Sequence, residues 1–413
     1  MSSFKRRTPA SQPAPPTGTR LSAYNSQLLT SSGVSSLDDI LASDACGGLP
    51  VGTLLIVRED QQTRYAQLLL RYFLAQGMAH GHGMLVASAD EAPDALLRRL
   101  PGWTDVTTEP KQESGTPAAV PADSEADRMK IAWRYQKLKR VDGGSTDMGQ
   151  GASSAATFCH RFDLTKTVRE EQLAAASVCC VPMDYLAQYN GAEHGKPADP
   201  YAHLYAEIAK QVDGEYSAVA KPVTGDAPRR ILRIAIQSLA SPSWPAASPQ
   251  ATFQFLHSLR GLLRYSLAVA MITLPAYLYE SVAATSQSAA WLRRLEHCAD
   301  LVLELRSFTD EERAAMGATD SATGYHGTLQ IRRAAGVNTL LSTSVKYGHP
   351  AENLAFRQRR HGLMVETFHL PPEGGVTERR SAPAAGSGSA SRANPSAKLG
   401  CGGGGGGVDP LAF

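Results

Sequence analysis

Residues 46–75 read CGGLPVGTLLIVREDQQTRYAQLLLRYFLA, and their pattern decides the fold. Gly47, Gly48, Pro50 and Gly52 make a turn. Thr53, Leu54, Leu55, Ile56 and Val57 form a continuous apolar run, as a strand covered on both faces requires. Tyr65, Leu68, Leu69, Tyr72 and Phe73 then recur at helical spacing. The order is turn, buried strand, polar loop and helix, which is the opening of an α/β sheet.

A unit of this shape binds nucleotide when its loop reads G-x-x-x-x-G-K-[ST], because the glycines let backbone N–H groups turn inward and the Lys meets the β- and γ-phosphates. Here the loop is Arg58, Glu59, Asp60, Gln61, Gln62, Thr63 and Arg64, with no Gly between Gly52 and Gly77. Glu59 and Asp60 fall where phosphates would sit. Two like charges at contact range cost roughly 4 kcal/mol at an effective dielectric of about 20. A second loss accompanies the first. Residues 231–236 predict a strand, and an active ATPase of this kind ends it in a carboxylate that holds the Mg²⁺ shell. Gln237 and Ser238 follow it instead, and neutral ligands hold Mg²⁺ poorly. The expectation is a P-loop-type α/β ATPase scaffold that lacks the phosphate-binding loop signature.

The bulk numbers agree with an ordinary core. The chain has 413 residues, 43% of them hydrophobic, and a formal charge of +2, so nucleic-acid contact would have to come from local basic patches. Cys46, Cys159, Cys179, Cys180, Cys298 and Cys401 form no C-x-x-C pair, which argues for reduced thiols and against zinc ribbons or redox motifs. No metal site is expected, since His80 and His82 alone are too few ligands. The N-terminal Lys5, Arg6 and Arg7 precede no apolar stretch, so no secretory signal is expected. The apolar run 267–278 is broken by Thr273 and Pro275 and is too short to span a bilayer. These features predict a soluble intracellular protein.

Along the chain, 1–18 is rich in Ser, Pro and Thr and reads as a disordered tail. Its basic cluster fits either a weak nuclear import signal or a solvated end. Residues 19–373 read as one domain, with loop insertions at 104–127 and 142–156, and 374–413 as a flexible Gly/Ser-rich tail. Strands are predicted at 27–30, 84–87, 231–236, 267–274, 301–305, 327–332 and 362–370. Helices are predicted at 35–39, from Pro93 through Leu100, and at 202–212, 252–266 and 291–299. The alternation implies a mostly parallel central sheet with helices on both faces and antiparallel strands near the end. Lys130, Trp133 and Arg134 interleave base-stacking and cationic side chains between the insertions. They fit a nucleic-acid surface or an amphipathic protein interface equally. Phe158 to Asp163 contains His160-Arg161-Phe162-Asp163, but without a Gly-rich loop or D-F-G it is not a kinase signature.

Several blocks together resemble the Elongator complex protein 4 family: GTRLSAYNSQLLTSSGVSSLDDIL and GGLPVGTLLIVRED within 18–74, VASADEAPDALLRRLP at 86–101, MKIAWRYQ at 129–136, FCHRFDLTK at 158–166, NLAFRQRRHGLMVETFHLPPE at 353–373, and the Gly-rich segment after KLGC. The lead-in through Gly33 to Gly52 is also similar to that of RecA-type ATPases. The resemblance implies a RecA-like fold without ATP-binding signatures. It further implies a heterohexameric ring alternating with Elongator proteins 5 and 6, and an accessory, non-catalytic role beside the catalytic Elongator subunits. The ring of that family binds tRNA and supports modification of the wobble uridine. No cofactor is expected on this chain alone; ATP belongs to ring interfaces. Cytoplasmic and nuclear locations follow from the same resemblance. One departure is 42–46, ASDAC, before Gly47-Gly48, where a shorter, more Gly-rich junction is expected.

On this reading Arg332, Arg333, Arg357, Arg359 and Arg360 are RNA-facing candidates, because a guanidinium pairs bidentately with phosphate. A solvated basic face is the competing account. Two other functions fit the scaffold: an active ATPase in which Arg64 replaces the missing Lys, and a DNA-repair mediator of the RecA superfamily.

Overall fold

The computed structural model describes residues 15–22, 26–41, 47–103, 157–183, 199–218, 229–245, 248–280, 287–315, 324–336 and 353–368. These all belong to one compact unit, 1–369; the second unit, 370–413, lies outside the described residues, as do the two predicted insertions. In chain order the elements are β1 (Thr19–Leu21), β2 (Leu28–Thr30), α1 (Ser35–Leu41), β3 (Leu49–Pro50), β4 (Leu54–Arg58), α2 (Tyr65–Ala79), β5 (Gly83–Ser88), α3 (Pro93–Arg98) and β6 (Pro101–Trp103). There follow β7 (Phe162–Thr167), α4 (Glu170–Ala175), β8 (Val178–Pro182), α5 (Pro200–Asp213), β9 (Leu232–Ile236), α6 (Pro249–Arg264) and β10 (Ala268–Leu274). The series closes with α7 (Gln287–Cys298), β11 (Leu301–Ser307), α8 (Asp310–Ala315), β12 (Gly327–Arg333), β13 (Leu354–Arg359) and β14 (Gly362–Thr367).

The main sheet has nine strands in the order β14-β13-β12-β11-β4-β10-β9-β5-β8. From β11 to β8 all pairings are parallel; β12, β13 and β14 join antiparallel. A mostly parallel sheet with an antiparallel end is therefore observed. The apolar run of β4 is buried throughout because it lies between β10 and β11 with cover on both faces. Leu55 and Val57 face a core shared with Leu69 and Phe73 of α2. Leu54 and Ile56 face the opposite core, built with Leu204 and Ile208 of α5, Leu256 and Leu259 of α6 and Leu295 of α7. Each fully buried aliphatic side chain contributes about 1.5–3 kcal/mol of transfer free energy.

Two glycines are explained by their surroundings. Gly77 costs helix α2 about 1 kcal/mol relative to Ala, yet a Cβ there would lie 2.6 Å from Cδ of Arg233. Gly81, at φ +67°, ends the helix: its N–H donates to Met78 O, and the next N–H, of His82, donates to Gly77 O. β1, β2 and β3 form a small separate antiparallel sheet, and β6 pairs with β7.

Candidate functional site

In an open parallel sheet, ligands bind beyond the carboxyl ends of the strands where the strand order reverses. Loop 59–64 lies there, between β4 and α2, with the ends of β10, β9 and β11 beside it. The Glu59 N–H donates to Leu274 O at 2.8 Å, fastening the loop to β10. The Glu59 carboxylate accepts from Ser238 Oγ at 2.8 Å, just past β9, while Ser238 N–H donates to Thr273 Oγ1 at 2.7 Å. The Asp60 carboxylate accepts from the hydroxyl of Ser307 at the end of β11, from its N–H at 3.3 Å, and from Thr63 Oγ1 at 3.1 Å. Burial raises the pKa of Glu59, and its bonds to Thr273 and Ser238 oppose that rise. Both carboxylates thus tie strand ends together. Gln61, Gln62 and Arg64 are exposed, and Thr63 is half-buried.

At the position where a Mg²⁺-binding carboxylate would sit, Gln237 is bonded through its amide nitrogen while its Oε1 is buried without a partner. Gln237 Nε2 donates to Glu91 Oε1 at 3.1 Å, and Ser241 Oγ donates to Asp90 Oδ1 at 2.5 Å. Ser238 and Ala240 hold φ of +47° and +62°, a costly conformation for residues with a Cβ. Below the loop, Arg58 is 3% exposed and pairs with Glu280, with Glu296 at 3.3 Å and with Glu304 at 3.5 Å. Burial lowers its pKa, and Glu304 and Glu296 pull it back. For a triphosphate the β4–α2 loop offers two carboxylates already bonded and the exposed cation Arg64, with a neutral amide and a neutral hydroxyl just past β9. Among the described residues no group of three or more His, Cys, Asp or Glu side chains could hold a metal ion, and no helix is long and apolar enough to cross a membrane.

The arginines separate into two groups. Arg332 pairs with Glu304 at 2.9 Å and Glu296 at 3.6 Å, so it shares the counter-charges of Arg58. Arg333 donates to His297 O at 3.1 Å, and Arg357 pairs with Glu366 at 2.5 Å. Arg359 and Arg360, at the turn between β13 and β14, are exposed. Lys130, Trp133 and Arg134 lie outside the described residues.

One buried site escaped sequence reading. Arg233 of β9 is 0% exposed. Its Nε donates to His82 Nδ1 at 3.1 Å, Nη1 to the carbonyls of Ser31 and Phe73 at 3.0 Å each, and Nη2 to Thr30 Oγ1 at 2.7 Å. Its guanidinium also stacks over the Phe73 ring at 4.7 Å. Asp38 is 2% exposed; its carboxylate accepts from Ser31 Oγ at 2.5 Å and from Ser32 N–H at 2.8 Å. Burial raises Asp38 to about 6 and lowers Arg233 to about 9. This cluster joins β2, α1, α2 and β9. The one signal for it in the sequence is a single cation inside the apolar run ILRIAI, 231–236.

Fold and loop together define an α/β protein with a mostly parallel sheet whose β4–α2 loop is tied to neighbouring strand ends by its own polar side chains. The family model described as PAXNEB protein matches residues 11–400. Relatives named Elongator complex protein 4 are 37% identical in Xenopus laevis, over 92% of this chain and 88% of that protein, and 35% identical in Danio rerio, over 89% and 87%. The Homo sapiens protein of that name is 33% identical over 88% of this chain and 82% of its own length. The chain belongs to this family of PAXNEB proteins, the Elongator complex protein 4 family.

Proposed function

We propose that this chain is a non-catalytic subunit of the Elongator complex. It takes its place in a RecA-like heterohexameric ring alternating with Elongator proteins 5 and 6. There it helps hold tRNA while the catalytic Elongator subunits modify the wobble uridine, in cytoplasm and nucleus. The strand order of the sheet supports the RecA-like assignment. The observation that carries the non-catalytic reading is the pair Glu59–Ser238 and Asp60–Ser307, which commits both loop carboxylates to internal hydrogen bonds. ATP on this reading belongs to interfaces of the ring and has no pocket in this chain. Arg359 and Arg360 are the exposed cations suited to phosphate contact.

Titrating the purified chain with Mg-ATP and following thermal unfolding tests the first part. A ligand at a hundred times its Kd stabilises by about 2.7 kcal/mol; no shift at millimolar Mg-ATP is expected. Arg64 is exposed at the start of α2 with no side-chain cap, which favours the rival ATPase reading. A clear shift that Arg64→Ala abolishes would establish that rival. Preference for single-stranded DNA over tRNA would favour a DNA-repair role.

A further inference from the structure

A cavity of about 880 Å³ opens on the other side of the same sheet end, over the core shared by α5, α6 and α7. Its size is that of a small-ligand site. Five aromatic side chains line it: Tyr201, Trp244, Phe253, Tyr279 and Trp291. Tyr201 and Trp244 form a buried floor, stacked at 12° with centroids 6.1 Å apart. Tyr279 and Trp291 pack at 4.5 Å, Phe253 and Trp291 at 6.4 Å, and these three are half-buried walls. Neighbouring Tyr277 and Leu278 are exposed apolar side chains.

The polar lining is Ser241, Gln250, Thr252, Gln287 and Ser288, all neutral, with one cation. Among the described residues lining the cavity, Arg294 is the single charged side chain, and it is exposed. The first turns of α5, α6 and α7 all contribute lining residues, with α5 capped by the Asp199 carboxylate and α6 by the Ser248 hydroxyl. The Nε1–H of Trp291 is buried without a hydrogen-bond partner, whereas that of Trp244 donates to Gln237 O at 3.1 Å.

A planar ring attached to an anion matches flat aromatic walls with the exposed guanidinium of Arg294 beside them. We propose that this cavity takes one unpaired nucleotide of an RNA strand, its base among Phe253, Tyr279 and Trp291 and its phosphate toward Arg294. The inference rests on the RNA-holding role proposed above and names a site for it apart from the arginines of β12 and β13. Base–aromatic stacking is sequence-tolerant, and losing one stacked base weakens binding roughly 5- to 150-fold.

The test uses the full chain and a short single-stranded RNA carrying one 4-thiouridine. Cross-links should map to Trp244, Phe253, Tyr279 or Trp291, and both Trp291→Ala and Arg294→Glu should weaken binding about tenfold or more. Arg294 is exposed, so its variant folds even if loss of Trp291 disturbs packing. Cross-links elsewhere, with Arg294→Glu unaffected, would overturn the proposal. So would displacement of the RNA by equal concentrations of a free nucleoside monophosphate or an acidic, tyrosine-bearing peptide. Retention of tRNA by the reconstituted ring is measured in parallel. If the ring with Arg294→Glu holds tRNA as tightly as the unaltered ring, the cavity assignment fails and the tRNA role stands. If cross-links map to the cavity but the unaltered ring retains no tRNA, the cavity assignment stands and the tRNA role fails.

Discussion

Arg233 has four hydrogen bonds and no room for error. Replacing it by Met removes the donor to Thr30, Ser31, Phe73 and His82 and leaves the Asp38 carboxylate buried without its nearby cation. Breaking a buried charge network by removing one member costs about 3–5 kcal/mol. Urea unfolding of Arg233→Met should show that loss as a lower midpoint with unchanged slope; a midpoint within error of the parent would refute the account. The same cluster sets a pH dependence. Asp38, raised by burial from 3.8 to about 6, takes up a proton in the folded chain that the unfolded chain refuses, so its contribution favours folding below about pH 4 and is lost as pH rises through 6. His80, lowered to about 4 by burial and by His160, contributes above pH 6.5 and loses that contribution as pH falls toward 4. His82, buried beside Arg233, is lowered too and acts in the same direction. Each proton is worth up to about 1.4 kcal/mol per pH unit. Two histidines outweigh one carboxyl, so stability should fall on acidification between pH 6.5 and 4, and Asp38→Asn should steepen that fall. A shallower fall in Asp38→Asn would show the sign to be wrong.

At the level of elements, the last strand closes one edge of the sheet with side chains. The N–H of Leu363 donates to Tyr72 Oη at 3.1 Å, and that of Val365 to Ser36 Oγ at 2.9 Å. β14 therefore presents an edge already capped by α2 and α1, which guards against pairing with another chain. Tyr72→Phe keeps the ring and its packing on Phe162 but orphans a buried N–H. It should cost about 1–3 kcal/mol and speed hydrogen exchange at Leu363; unchanged exchange there would mean the edge is held otherwise. The long buried strands are legible in sequence because their apolar runs have one interpretation inside a parallel sheet. The apolar stripe predicts α6 from Thr252, but the helix starts at Pro249, because its start signal is the Ser248 cap and Pro249 at the first position, ahead of the stripe. β7, FDLTKT, and β8, VCCVP, are not legible: one is mostly solvent-facing and the other is a short edge, so neither carries a decisive period. At β13, LAFRQR, basic residues draw the reading toward RNA contact, whereas its first half is buried strand. For the crevice, Glu59 and Asp60 are legible as obstacles to phosphate. That they bond Ser238 and Ser307 is not, since those partners lie 179 and 247 residues away and meet only through the strand order.

For the whole molecule, the proposed tRNA role divides the arginines into those held by the fold and those left exposed. Arg332 and Arg357 are held by carboxylates at 2.9 and 2.5 Å, and a phosphate would have to displace Glu304 or Glu366 to reach them. Arg332 also leans on the carboxylates that neutralise the buried Arg58, so removing it unbalances a cluster of two arginines and three glutamates. Arg359 and Arg360 are exposed on a hairpin turn, where a side chain moves to a phosphate without breaking an internal bond that the fold needs. Each phosphate contact made to a single strand adds about 0.7 to the slope of log affinity against log salt, and about 0.9 to a duplex. In a reconstituted ring, Arg359→Ala with Arg360→Ala should therefore lower the tRNA salt slope by roughly one to two per copy engaged, with thermal stability of the chain unchanged. Arg332→Ala should do the reverse, lowering stability while leaving the salt slope close to that of the parent ring. Should Arg332→Ala flatten the slope without loss of stability, the salt bridges to Glu304 and Glu296 open on RNA binding, and the division between structural and RNA-facing arginines is drawn in the wrong place.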